Sequence, residues 1–335
     1  MIRLSVLDQS PAISGQSQAD AVRETVELAR LADRLGYHRY WMAEHHSAES
    51  FSSAAPEIMT ARIAAATTGI RVGPGGVLLA HYSALKVAET FRLLATLFPG
   101  RIDLGIGRAP GVGWQGIRAL QPAPAAFDDA TFPDRLVALI RFLRGDPVAD
   151  FPGVRAVPEG EEMPELWLLG SAVSSASLAA ALGCAFSSAH FINPEGTDGV
   201  MRAYARAFRP SPWLAAPASN VCCFVFCADT EDEARDLAAT RDLWRLRTHR
   251  GERGKVPTVE EALAYEYSAD ERHIVAANRR VNIAGTPDSV RAQLLAIAQA
   301  YGTGEIMVLT NCARAARFRS YELLAEAFAL TPRAT

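Results

Sequence analysis

The chain has no long hydrophobic run: no apolar stretch approaches the ~18 residues needed to cross a bilayer. It has no run of lysine and arginine either, and its net charge is only −3 over 335 residues. A nearly neutral chain lacks the electrostatic drive toward nucleic acid or an anionic membrane, so neither is expected as a partner. Arg3 and Asp8 flank the first apolar residues with no signal core between them, and the expectation is a cytoplasmic location. Cysteine is scarce and odd in number, at five. Cys222, Cys223 and Cys227 fall in an apolar run without a CxxC pair, which argues against zinc and for buried thiols. No metal site is expected.

What the chain has is an ordinary globular balance, 49% hydrophobic and 21% charged, which excludes disorder and allows a large core. Short apolar runs at 2–7, 37–43, 70–72, 101–106, 166–169, 184–188, 220–227 and 305–309 read as strands, each followed by a helical pattern. Strict alternation implies parallel strands joined by crossovers. Eight units predict an α/β protein folded as one (β/α)8 TIM barrel over residues 1–335; an open doubly wound sheet is the alternative. Three segments break the rhythm. Residues 108–126 follow the fourth strand and form the lid candidate. Residues 145–164 precede the fifth strand and belong to the other face. Residues 251–280 predict an extra helical insertion.

Four unusual groups then follow successive strands, and strand C-terminal ends share one mouth in a barrel. Glu44, His45 and His46 follow the second, with imidazoles that ordinarily titrate near neutrality; adjacent strand-end residues point in opposite directions, so one of the pair faces the mouth. Gly73, Pro74, Gly75 and Gly76 follow the third and let a flat ligand approach the main chain closely. Arg108 follows the fourth, a fixed positive charge suited to phosphate, whereas Arg101 begins that strand at the structural face. Gly170, Ser171, Ser174 and Ser175 follow the fifth, where a glycine turn and serines open a helix. Free N–H groups, hydroxyls and the helix dipole make an anion site there; plain capping by serine is the competing reading.

The strings LSVLDQSP, LADRLGYHRYWMAEHH, RVGPGGVLLAHYSALKVAE, LFPGRIDLGIGRAPG, LWLLGSAVSSASLAAALG and RSYELLAEAF cover most of the chain. In order and spacing they resemble the bacterial luciferase superfamily of flavin-dependent monooxygenases, with the nearest likeness to the luciferase-like tailoring oxidoreductases of secondary metabolism. That resemblance implies a (β/α)8 barrel binding FMN at its C-terminal mouth as FMNH2, supplied transiently by a separate flavin reductase. O2 and a small organic molecule would be the co-substrates. It implies His45 as the active-site histidine and Gly75–Gly76 as a peptide, often cis, beneath the flavin ring. It implies Arg108 at the phosphate, with Gly170, Ser171, Ser174 and Ser175 in the phosphate loop. Gly107 and Ser171 stand where true luciferase has cysteine and glutamate, which puts light emission in doubt. The resemblance also implies a homodimer paired through the helices at 55–67 and 83–98. The competing functions are hydride transfer with the deazaflavin F420 and flavin binding without turnover.

Overall fold

A computed structural model describes residues 2–109, 111–120, 129–192 and 194–333 of the chain. The first half runs β1 (Arg3–Asp8), α1 (Gln18–Leu35), β2 (Arg39–Met42), α2 (Pro56–Ala64), β3 (Arg71–Pro74), β4 (Val77–Leu78), α3 (Ala84–Leu97), β5 (Asp103–Gly107), α4 (Trp114–Leu120) and α5 (Phe132–Arg144). The second half runs β6 (Glu165–Gly170), α6 (Val173–Leu182), β7 (Ala185–Ala189), α7 (Thr197–Ala207), β8 (Ser219–Cys227), α8 (Glu231–His249), α9 (Val259–Ala264), α10 (Ala269–Arg279), β9 (Asn282–Gly285), α11 (Pro287–Tyr301), β10 (Glu305–Leu309) and α12 (Arg314–Ala327). Local chemistry sets the helix ends. The Ser17 side chain accepts from the Asp20 N–H at the start of α1, and Gly36 stops that helix at φ 90°, where a side chain would be strained. Pro287 opens α11 at its first turn, where its missing N–H costs nothing.

Every pairing between the named strands is parallel, in the order β3-β2-β1-β10-β8-β7-β6-β5-β4. A bridge between Val72 and Ile102 brings β3 against β5, so the ends of this path meet and the sheet nearly closes into a barrel. The open-sheet alternative is thereby excluded. Helices pack outside, and the apolar core lies between them and the barrel wall, with Tyr37, Tyr40, Phe91, Phe186 and Tyr204 among its large buried side chains. The five cysteines are free and buried, as their apolar surroundings implied, and burial pushes the Cys223 thiol up to about 12.

Three details differ from the sequence expectation. Gly73 and Pro74 lie inside β3 instead of after it, and the strand resumes as β4 after the cis peptide Gly75–Gly76. Glycine is required there by contact: a Cβ at Gly73 would sit 2.4 Å from the Asp103 carbonyl oxygen, and one at Gly76 2.6 Å from the backbone of Gly105. Strand β9, Asn-Ile-Ala-Gly, extends the sheet beside the upper half of β8; with one large apolar residue in four it has almost no hydrophobic signal. The lid candidate, 108–126, carries a helix, α4, and its residues 110 and 121–126 lie outside the described part. The insertion at 251–280 holds α9 and α10, each begun by a reciprocal serine or threonine capping box.

The N-terminal mouth of the barrel is plugged by charge. Arg39, Arg71, Asp103, Glu165 and Glu305 are the first residues of β2, β3, β5, β6 and β10. The buried Arg39 guanidinium donates through Nε to Glu305 at 3.0 Å, through Nη1 to Asp103 at 2.9 Å and through Nη2 to Glu165 at 2.9 Å. Arg71 adds a second cation 2.6 Å from Asp103, and the indole N–H groups of Trp41 and Trp167 donate to Asp103 and Glu165. Arg39 also lies 4.6 Å from the centroid of the Trp167 ring. Burial raises the Glu305 pKa, and the Arg39 charge works against that rise. Arg101, as expected, serves structure, donating to the carbonyls of Ile70, Ala64 and Thr67.

Removing one partner of such a buried network strands the others without compensation, at about 3–5 kcal/mol. Arg39→Ala should therefore lower unfolding free energy in urea by about that amount, whereas the exposed pair member Arg23→Ala should change it by less than about 1 kcal/mol. Equal urea midpoints for wild type and Arg39→Ala would contradict the plug.

Candidate active site

The opposite mouth opens into a cavity of about 520 Å³. Its lining brings together strand ends that are far apart in sequence: Gln9 after β1, Glu44 and His45 after β2, Gly75 and Gly76 between β3 and β4, Arg108 after β5, and Gly170, Ser171 and Ser175 from β6 into α6. Seven of the eight residues proposed from sequence thus share one cavity. The eighth, Ser174, is exposed on the first turn of α6 and is not in the lining.

One side is built for an anion. Arg108 is half-buried at the cavity wall beside Ser171 and Ser175. The N-cap of α6 is Ala172, with extended backbone and no side-chain capping bond, so these serines do not cap the helix. The first-turn N–H groups therefore lack the side-chain acceptor that usually satisfies them. A fixed cation, hydroxyls and a helix N-terminus on one wall suit a phosphate. Gly170 is needed for the close turn: a Cβ there would lie 2.5 Å from Cβ of Ser175.

The floor is backbone. Gly75 and Gly76 present no side chain, and Leu7 and Trp41 support them from below, 2.6 Å and 3.1 Å from where a Gly75 Cβ would stand. Glu44 braces this floor. Its buried carboxylate accepts the Leu78 N–H of β4 at 2.9 Å, the Tyr82 hydroxyl at 2.6 Å and a contact to His46 Nε2 at 2.7 Å. Burial, followed by the hydrogen bond to Glu44, raises the Tyr82 pKa and keeps that phenol protonated.

The two histidines part as strand geometry requires. His45 lines the cavity, whereas His46 turns to Glu44 and stacks edge-on to His81. The His45 ring packs on Phe51 at 4.8 Å, with Nδ1 3.4 Å from the Ser53 hydroxyl. Its titration departs from the expected near-neutral value: burial, with the neighbouring His46 second, lowers the pKa to about 4. At neutral pH His45 is an uncharged proton acceptor. Much of the remaining lining is apolar, contributed by Leu7, Trp41, Leu169, Phe191, Cys222 and Met307, with Gln9 and Ser187 as polar points among them. Sequence reasoning passed over Gln9, although the same strand-end logic applied to β1 would have placed it at the mouth. Among the described residues no cluster of histidine, cysteine, aspartate and glutamate is arranged to hold a metal ion.

The sequence matches the luciferase-like monooxygenase family over residues 2–304. The chain is 45% identical to the uncharacterised protein YceB of Bacillus subtilis over 98% of this chain and all of that one. It is 36% identical to the N-acetyl-S-alkylcysteine monooxygenase of Bacillus subtilis, covering 98% of both chains. The crystal structure of apo-MsnO8 superposes with a TM-score of 0.87 at 41% identity, covering 99% of this chain and 100% of that one.

The His45 shift carries a pH signature. The imidazole has its ordinary value of 6.5 when unfolded and about 4 when folded. Between those values the unfolded chain takes up a proton that the folded protein refuses. The stabilising contribution is therefore intact above pH ~6.5 and is lost as pH falls toward 4. Across that window the urea midpoint of the wild type should drop relative to that of His45→Gln, with a constant difference between pH 7 and 8. A difference that stays constant down to pH 4 would mean that folding leaves this imidazole unperturbed.

Proposed function

The chain belongs to the luciferase-like monooxygenase family, and from that premise we propose that it is the oxygenating component of a two-component system, using FMNH2 delivered by a separate flavin reductase and O2 to oxygenate a small organic substrate. Membership makes the protein a flavin-dependent oxidoreductase of the monooxygenase class; the reductase, the reduced form of the cofactor and the residue roles are our reading. The observation that carries it is the juxtaposition of a phosphate-suited wall with a side-chain-free floor in one cavity. FMN has the same two parts, a phosphate and a flat ring, so the residues present fit it.

In this reading Arg108, Ser171, Ser175 and the α6 N–H groups hold the phosphate, Ser174 adds a hydroxyl at the outer edge of that loop, and Gly75–Gly76 bear the ring. Bound reduced flavin supplies the two electrons that activate O2, chemistry intrinsic to the cofactor. The chain orients, excludes water and manages protons. Leu7, Trp41, Leu169, Phe191 and Met307 form the water-poor wall. In the tautomer whose Nδ1–H donates to the Ser53 hydroxyl, Nε2 of the neutral His45 ring is the atom that accepts and returns a proton. Glu44 keeps the floor and His46 in place without touching the reacting atoms. We place the protein in the cytoplasm as a dimer, paired through the exposed apolar side chains of Ile58 on α2 and of Leu93 and Leu97 on α3.

Anaerobic titration tests the cofactor: FMNH2 should bind, and F420 should not. Arg108→Ala should weaken FMNH2 binding by one to two decades, because a charge-assisted hydrogen bond contributes about 1.5–3 kcal/mol. Saturation by F420 with hydride transfer, or an Arg108→Ala affinity equal to wild type, would overturn the assignment. His45→Ala should keep its flavin affinity but release hydrogen peroxide in place of oxygenated product, with more than a tenfold loss of coupling in single-turnover stopped flow. His46→Ala should lower stability and leave coupling intact; the reverse pattern would exchange their roles. Leu93→Glu with Leu97→Glu should convert the dimer to monomer by light scattering, and a monomeric wild type at high concentration would remove the interface.

A further inference from the structure

The apolar part of the cavity lining carries one polar group whose setting is unlike the rest. Gln9 directly follows β1 and is nine-tenths buried. Its inward position repeats that of Leu7 two residues before, because alternate strand residues share a face. The β1–β10 register pairs Val6 with Val308, and its continuation sets Gln9 beside Asn311. There the Asn311 carboxamide nitrogen donates to Gln9 Oε1 at 2.6 Å. Asn311 is itself buried, and its own Oδ1 has no partner, so the pair is not closed into a mutual amide ring. The Gln9 oxygen is thus occupied, and its –NH2 group is the end left for the cavity. Leu7, Trp41, Cys222, Met307 and Phe191 around it offer no acceptor of comparable strength. Glu44, which supplies the one carboxylate among the lining residues, is already engaged by three neighbours.

A buried amide donor that faces an apolar cavity is costly unless something accepts from it. The same donor discriminates strongly, because a ligand lacking an acceptor leaves it unpaired. We propose that Gln9 is the substrate-orienting residue of this enzyme, its carboxamide nitrogen donating to a carbonyl oxygen of an otherwise apolar, uncharged substrate. Asn311 is the positioning residue that turns the amide the right way. This rests on the reading that flavin fills the Arg108 side of the cavity and leaves the Gln9 side to substrate. A cationic substrate would meet the donor with the wrong sign, and a purely hydrocarbon one would strand it.

The probes are 4-phenylbutan-2-one and butylbenzene, which share an aromatic ring and chain length and differ by the carbonyl. Each is titrated into the protein saturated with oxidised FMN, reading the perturbation of the bound-flavin visible spectrum. The wild type should bind the ketone about tenfold more tightly than the hydrocarbon, the worth of one neutral hydrogen bond. Gln9→Glu, titrated at a pH of about 9 that ionises its carboxyl, keeps the oxygen that Asn311 needs and the side-chain shape, but replaces the donor by an acceptor. It should abolish the preference while leaving hydrocarbon affinity within about twofold. Asn311→Leu should reduce the preference without abolishing it, and thermal melting confirms that both variants fold. A ketone preference that survives Gln9→Glu overturns the assignment of Gln9. A wild type that binds FMN but shows no preference, or no binding of either probe, overturns the substrate class and leaves the flavin reading standing. Failure to bind FMN at all overturns both.

Discussion

Arg39 is the group on which the barrel's geometry turns. One guanidinium has donors on two edges and an end, and here they reach carboxylates that begin β5, β6 and β10, from an arginine that begins β2. Strands that are hydrogen-bonded only to their neighbours could slide; a single rigid fork touching three of them aligns their starting points. With Arg71 and the two indoles, it fills the barrel's narrow end with partnered charge. The polar material is concentrated at one end, so the other can be open, apolar above its floor and shaped for ligand. The division between stability and function along the barrel axis follows from this placement.

A second consequence concerns the electrostatics of the open end. The floor segment is held from β2 by Glu44, which binds the Leu78 N–H while occupying His46 and Tyr82. That carboxylate is directed at those three groups, and the influences on His45 are burial first and the neighbouring His46 second. Burial then dominates, and the imidazole is neutral at physiological pH. The same strand end therefore supplies a brace and an uncharged imidazole that lines the cavity, and their separation depends on the alternation of side chains at 44, 45 and 46.

The barrel was legible because β1, β2, β5, β6, β7, β8 and β10 are short apolar runs, each followed by a helical pattern. The convergence of the candidate site was legible because the topology collects strand ends, which implies that Arg108, His45 and the serine loop share one mouth. Other features were hidden for physical reasons. Strand β9 forms by pairing with β8 and has little hydrophobicity of its own. The resumption of the third strand as β4 is invisible where glycine and proline ordinarily signal a turn. The buried plug was unreadable because Arg39, Asp103, Glu165 and Glu305 look like ordinary charged residues flanking strands; only closure of the barrel makes them meet. The His45 shift likewise comes from burial, which depends on tertiary packing that includes Phe51.

The close approach of β3 and β5 decides where this protein can be redesigned. Gly73 sits against the Asp103 carbonyl, Gly76 against Gly105, and Gly105 in turn against the Pro74 carbonyl, each too near for even a methyl group. Directed evolution that randomises this seam would sample mostly unfolded or misassembled proteins, although Gly76 of the seam lines the cavity. The opposite arc, contributed by β1, β7, β8 and β10, presents full side chains to the same cavity, where volume can be exchanged without moving a strand. The barrel thus has one wall closed to variation and one open to it, and changes of substrate range within this architecture should collect on the second.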